Sequence, residues 1–236
     1  SYRLVGSEMC IRDSGISANR PGLQITDNRI RLASPTAAIG LLIMLGEDGR
    51  VTGNRIDFTG LDDSVSGIGV MNITSSRLRI EGNHMLASHA IVPVLSYTLN
   101  DFAPPDLIDN RFPVGTSALI GGTGGIVRGN RMSGGLALMA VRDGILSENA
   151  LGDTNGESLL VFLPTGTWQV ENNRATGAIR FLPAVTEETE TIEYYFPHHS
   201  NERGIKLKDG ATYARTGLFP ASPDLIATGR TATTPT

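Results

Sequence analysis

A six-residue phrase returns seven times along this chain, and it limits the possible folds more than any other feature. It is first complete as Ile25-Thr26-Asp27-Asn28-Arg29-Ile30 and recurs as Val51-Thr52-Gly53-Asn54-Arg55-Ile56 and Ile80-Glu81-Gly82-Asn83-His84-Met85. Leu107-Ile108-Asp109-Asn110-Arg111-Phe112 and Val127-Arg128-Gly129-Asn130-Arg131-Met132 continue it. Leu146-Ser147-Glu148-Asn149-Ala150-Leu151 and Val170-Glu171-Asn172-Asn173-Arg174-Ala175 close the series less faithfully. Successive asparagines are 26, 29, 27, 20, 19 and 24 residues apart, a period inside the window that marks a solenoid. The variation lies in the intervals and not in the phrase, so insertions belong to loops on other corners. Asn tolerates the left-handed backbone region and hydrogen-bonds nearby backbone. The phrase therefore reads as a tight polar turn between two short strands whose apolar flanks face inward. A helical repeat would need apolar residues at 3.6-residue spacing, which short Val/Ile/Leu runs bounded by Gly and Asn do not supply.

The seven copies resemble the coils of right-handed parallel β-helix proteins of the pectin-lyase-like superfamily, over roughly Gly15 to Val185. The resemblance implies an all-β fold, a right-handed parallel β-helix of about seven coils. One Asn per coil would stack on its neighbours at a turn, and Asn28, Asn54, Asn83, Asn110, Asn130, Asn149 and Asn173 match that role. It implies no single activity, since the fold hosts lyases, hydrolases, epimerases, adhesins and viral tail parts. A cell, virion or extracellular surface is favoured by this analogy alone.

Between the Asn turns lies a second apolar strand in each coil, beginning at Ile39, Ile68, Ile91, Leu119, Leu136, Leu159 and Ile179. If those residues point inward, alternation sends Leu42, Met71, Val94, Ile120, Met139, Phe162 and Leu182 outward, with Arg180 the lone charge. A sheet apolar on both faces is one that something covers. Strands stack about 4.8 Å apart, so seven rungs give a strip roughly 29 Å tall, more than monomers normally leave bare. The cover could be the chain's own tail, residues 186–236, a sister subunit or neighbouring domain, or an apolar ligand.

Composition narrows the remaining choices. The chain has 236 residues, a net charge of −4 and a pI near 5.6, which gives no electrostatic case for nucleic acid or an anionic membrane. Its longest apolar run, Ile39 to Leu45, is far short of the roughly 20 residues of a membrane helix. Residues 1–14 resemble a translated sequencing-adapter tail of the kind found on metagenomic contigs. On that reading the only cysteine, Cys10, is foreign, and the native start with its solenoid cap is missing. Residues 186–220 read as a C-terminal cap and cover. Residues 221–236, rich in Thr, Ala and Pro, read as a disordered tail.

No active site stands out. The lyases and hydrolases of the superfamily bring acidic clusters and basic residues to one outer face, the hydrolases with Gly-His-Gly and Arg-x-Lys. Gly-His-Gly is absent here, and Arg203-Gly204-Ile205-Lys206 has one residue too many for Arg-x-Lys. The adjacent pair Asp62 and Asp63 is the only catalytic candidate, and it reads better as a polar loop tip. His198-His199 lacks a third ligand at metal spacing, so no metal and no cofactor is expected. The turn arginines Arg29, Arg55, Arg111, Arg131 and Arg174, interleaved with Asp27, Glu81, Asp109, Glu148 and Glu171, read as a compensated, solvated edge. An anion-binding stripe is the other reading. The expectation is a non-catalytic β-helix scaffold or interaction module, a piece of a larger surface or tail-fibre-like protein. The alternative is a carbohydrate-active enzyme, a polysaccharide lyase or glycoside hydrolase, whose site is incomplete. Polysaccharide is thus a possible partner.

Overall fold

A computed structural model describes residues 3–5, 8–11, 14–33, 38–99 and 102–182 and five short strands beyond, with side chains over 15–33, 38–99 and 102–180. The chain is a right-handed parallel β-helix with three parallel sheets, and no helix occurs among the described residues. The first sheet carries strands such as Arg50–Thr52, Arg79–Glu81 and Ile126–Arg128. The second, across the Asn turn, carries Arg55–Asp57, His84–Leu86 and Arg131–Met132; we call it the corner sheet. The third carries the longer strands, among them Ala38–Met44, Gly67–Ile73 and Val92–Tyr97; we call it the long sheet. Every neighbour pairing in the three sheets is parallel, so each strand is followed one full coil later by its hydrogen-bonded partner.

The apolar flanks of the repeated phrase become two interior stacks. Ile25, Val51, Ile80, Leu107, Val127, Leu146 and Val170 pair in register along the first sheet. On the corner sheet Ile30, Ile56, Met85, Phe112, Met132, Leu151 and Ala175 are likewise buried. Burying a side chain of this size contributes about 1.5–3 kcal/mol, so coils add stability rung by rung.

The seven asparagines sit inside the corner between these sheets, each no more than 2% exposed. Each Oδ1 from Asn54 to Asn173 accepts two hydrogen bonds from the preceding Asn. One comes from its backbone N–H at 2.9–3.1 Å, the other from its Nδ2 at 2.9–3.0 Å. The same Nδ2 groups also donate back to the carbonyl of the preceding coil's apolar residue, as Asn110 does to Ile80 and Asn130 to Leu107, both at 2.8 Å. A primary amide has two acceptor sites and two donors, and from Asn54 to Asn149 all are used. The left-handed conformation, expected at Asn, belongs instead to the residue before it. Asp27 (φ 55), Gly53 (66), Gly82 (62), Asp109 (53), Gly129 (68), Glu148 (59) and Asn172 (54) carry it. That is why the third place of the phrase is a glycine or a small polar residue in most copies, while Asn is fixed by its amide.

The long sheet departs from simple alternation at one level. In the early coils two successive residues face inward: Gly40 and Leu41, Gly69 and Val70, Pro93 and Val94. The strand pairing passes from Ile39↔Ile68 to Leu41↔Val70 without a partner for Gly40 or Gly69. A Cβ on Gly69 would collide with the Pro93 carbonyl oxygen and the Met85 sulfur, so glycine permits the inward bend. Two expectations are corrected as a result. Ile39 and Ile68 turn outward, not inward. Val94 is fully buried, and Leu95, in register with Met71, takes the outward place.

At the far end, Ile192–Tyr195, Ser200–Asn201 and Ile205–Leu207 pair with the last full coil, and Tyr213–Arg215 pairs with Ile192–Tyr194. The described parts of 186–220 thus extend the sheets end-on, and none of these strands crosses the long sheet's outer face. Ile226–Ala227 pairs with Lys206–Leu207; the other residues of 221–236 lie outside the described residues. Within 1–14, Arg3–Val5 and Glu8–Ile11 pair with Gln24–Thr26 and Arg29–Leu32.

Candidate functional site

Two outer faces carry the residues that the sequence put forward. On the long sheet, one outward column is Leu42, Met71, Leu95, Ala118, Ala137 and Leu160, in register from coil to coil. A second is Met44, Ile73, Tyr97, Ile120, Met139 and Phe162, in register with Leu182, whose side chain lies outside the described residues. Leu42, Met71, Ile120, Met139 and Phe162 are half-buried, because each lies against the same column's residue one rung away. No charged side chain interrupts either column before Arg180, which pairs with Glu157 at the far end. Leu45 and Leu163 border the face with positive φ (52 and 51) and are 64% and 37% exposed. Left-handed backbone is uncommon for a residue such as Leu, and here it presents two apolar side chains to solvent at the edge of an apolar strip.

The corner sheet's outer face is of opposite character. One residue after each Asn, the strand turns its side chain outward. Arg29, Arg55, His84, Arg111, Arg131, Ala150 and Arg174 fall in a single in-register row. All five arginines are exposed. The acids that interleave with them in sequence form no ion pair with Arg55, Arg111, Arg131 or Arg174. Glu81 is held by Arg79, whose Nε and Nη2 lie 2.7 and 2.9 Å from its two oxygens, and Glu171 accepts from Gln169 Nε2 at 2.8 Å. Among the described residues Arg55, Arg111, Arg131 and Arg174 have no acidic partner within 4.0 Å. From Arg55 to Arg174 the compensated edge is therefore corrected to a cationic row. Burial, with the charges of Arg55 and Arg111 on either side, pushes the His84 imidazole below its ordinary pKa. A groove of about 490 Å³ opens over this row where Ala150 leaves a gap, between Arg131 and Arg174 and extending to Arg111 and His84.

The acidic candidates Asp62 and Asp63 lie in a loop, each with a partner close by. Asp62 closes a local turn, its Oδ1 accepting from Ser64 N–H at 3.0 Å and from the Ser64 hydroxyl at 2.9 Å, and these bonds lower its pKa. Asp63 faces His89 at 3.5 Å, while His89 Nε2 lies 2.9 Å from the Val65 carbonyl oxygen. Both contacts tie down a loop. Asp57, missed by sequence reading, is buried; burial opposes its charge, but the Thr59 hydroxyl and amide, with Arg31 and Arg55, hold its pKa low. No group of three His, Cys, Asp or Glu suited to a metal occurs among the described residues. The side chains of His198, His199, Arg203 and Lys206 lie outside them.

Against known proteins, the chain matches no family model, no curated protein and no solved structure. The parallel coils and the asparagine ladder therefore rest on this chain's own geometry.

Among the described residues, no aromatic platform for sugar stacking is assembled on either face. Trp168 is 1% exposed, its indole N–H donating to the Thr165 carbonyl at 3.1 Å, and its ring fills the space above Gly144. Tyr97 is exposed but stands alone in an aliphatic column until Phe162, three rungs on.

Proposed function

We propose that this chain is a non-catalytic β-helix interaction module, related to the pectin-lyase-like proteins, in a larger surface or tail-fibre-like assembly. The observation that carries this reading is the pair of uncharged apolar columns on the long sheet, in register over six coils. A flat sheet face is matched best by another flat face, at the roughly 10 Å separation of packed sheets, and sister copies of this chain supply one. A neighbouring domain is the other occupant the surface would accept. The carbohydrate-active alternative needs a carboxylate and a second acid or base converging on one outer face. Glu81, Glu157, Asp57 and Asp62 are instead bonded to Arg79, Arg180, Thr59 and Ser64.

The mass of the full chain in solution tests the reading, measured by light scattering beside Met139→Lys and Phe162→Lys. A dimer or trimer that both substitutions dissociate supports it. A wild-type monomer that stays soluble at high concentration contradicts it. Cleavage of a polysaccharide by the purified chain would transfer the argument to the enzymatic alternative.

A further inference from the structure

The cationic row is a second surface, independent of the apolar one. In the register of parallel strands Arg111 and Arg131 are directly opposed, about 4.8 Å apart at the backbone. Like charges so placed destabilise a sheet, and none of Arg55, Arg111, Arg131 and Arg174 has an acidic partner among the described residues. The row is broken at Ala150, the rung between Arg131 and Arg174, so these two guanidinium groups flank a gap about 9.6 Å wide at the backbone. Gly152 lets the chain beside it lie against the Ser133 backbone, and the groove continues past Arg111 to His84. In the adjoining loop the Asp153 carboxylate is tied back to its own surroundings: its Oδ2 accepts from the Thr176 hydroxyl at 3.1 Å and its Oδ1 from Gly156 N–H at 3.2 Å.

We infer that this row binds a linear sulfated polysaccharide laid along the helix axis, with one sulfate ester seated over Ala150 between Arg131 and Arg174. Three features select that chemistry. A guanidinium fork engages oxyanions through two parallel N–H donors, and a carboxylate, with two coplanar oxygens, offers one matched pair of acceptors along a single direction. A sulfate ester keeps three terminal oxygens and can face two forks from opposite sides. The repeat of the row along a straight axis matches a polymer with regularly spaced charges and not a single small anion. Single-stranded nucleic acid is disfavoured because its binding draws on exposed aromatic side chains. Phe112, the aromatic ring of this face, is turned inward and 3% exposed.

The test is binding of dextran sulfate to the full chain by calorimetry, at several salt concentrations, with uncharged dextran, polygalacturonate and an oligothymidylate as comparators. Dextran sulfate is expected to bind with affinity that falls as salt rises, and uncharged dextran not at all. Arg131→Gln combined with Arg174→Gln should weaken binding about tenfold or more. Ala150→Glu should weaken it at least as much, by placing an internal anion in the gap. All three positions are solvent-facing, so circular dichroism and the urea midpoint should stay near wild type. Absence of dextran sulfate binding, or binding indifferent to these substitutions, overturns the inference. Equal affinity for polygalacturonate overturns the sulfate assignment, and tighter binding of the oligonucleotide overturns the polysaccharide assignment.

Discussion

The asparagines and the residues that follow them are neighbours in sequence and opposites in structure. Asn130 is fully buried and bonded to the coil on either side; Arg131 is exposed, with no acidic partner among the described residues. Strand geometry sends adjacent side chains to opposite faces, so one dipeptide builds both the inside and the outside of the same corner. The inner row is unbroken over seven coils, because one missing amide would strand the N–H groups and carbonyl that it serves. The outer row tolerates His84 and Ala150, because water can replace any one of its members. A fold is written in the row that cannot vary, and a binding surface in the row that can.

That contrast is sharpened first by two small residues. Gly144 lies against Trp168 inside the coil, where a Cβ would stand 2.6 Å from the ring, while Ala150 faces solvent. Gly144→Val should cost about 1–3 kcal/mol by overpacking, seen as a lower urea midpoint in Trp168 fluorescence. Ala150→Val should leave that midpoint within about 0.5 kcal/mol. If both are equally harmful, the outer row is as constrained as the inner one.

Asp106 gives a smaller effect at the boundary between the two environments. Burial raises its pKa above 3.8, against a hydrogen bond from Ile126 N–H at 3.0 Å and the charge of Arg79. A carboxylate whose folded pKa is raised weakens the native state as pH climbs from 3.8 through the folded value, and the deficit persists above it. Asp106→Asn keeps an acceptor for Ile126. It should raise the thermal midpoint slightly at pH 7 and leave it unchanged below pH 3.8. A lower midpoint at pH 7 would mean that the Arg79 charge outweighs burial.

The comparison also shows which parts of the molecule were legible beforehand. The phrase around Asn28 to Asn173 declared the corner position and inward flanks of seven coils, because each repeats the same local chemistry; the strands that extend the sheets at either end carry no copy of it and went unread. Which residue takes positive φ was misplaced by one position, since Gly, Asp and Asn share that tolerance and only the amide bonds separate their roles. Val94 was put on the wrong face because the double inward step at Pro93 and Val94 breaks the period of two. The arginine row read as neutralised because Glu81 and Glu171 lie close in sequence. The corner turns between them and the arginines, so their partners are Arg79 and Gln169 on the first sheet.

The most direct measurement sets Asn130→Ala beside Arg131→Ala in the full chain, comparing urea denaturation with dextran sulfate binding. Loss of the Asn130 amide leaves the Asn110 N–H groups and the Leu107 carbonyl unpartnered. It should cost about 2–5 kcal/mol, while the folded fraction still binds the polymer. Arg131→Ala should stay within about 0.5 kcal/mol of wild-type stability and bind the polymer several-fold more weakly. If instead Arg131→Ala destabilises as much as Asn130→Ala, or Asn130→Ala is tolerated, the division between an inner row that folds the chain and an outer row that binds is wrong.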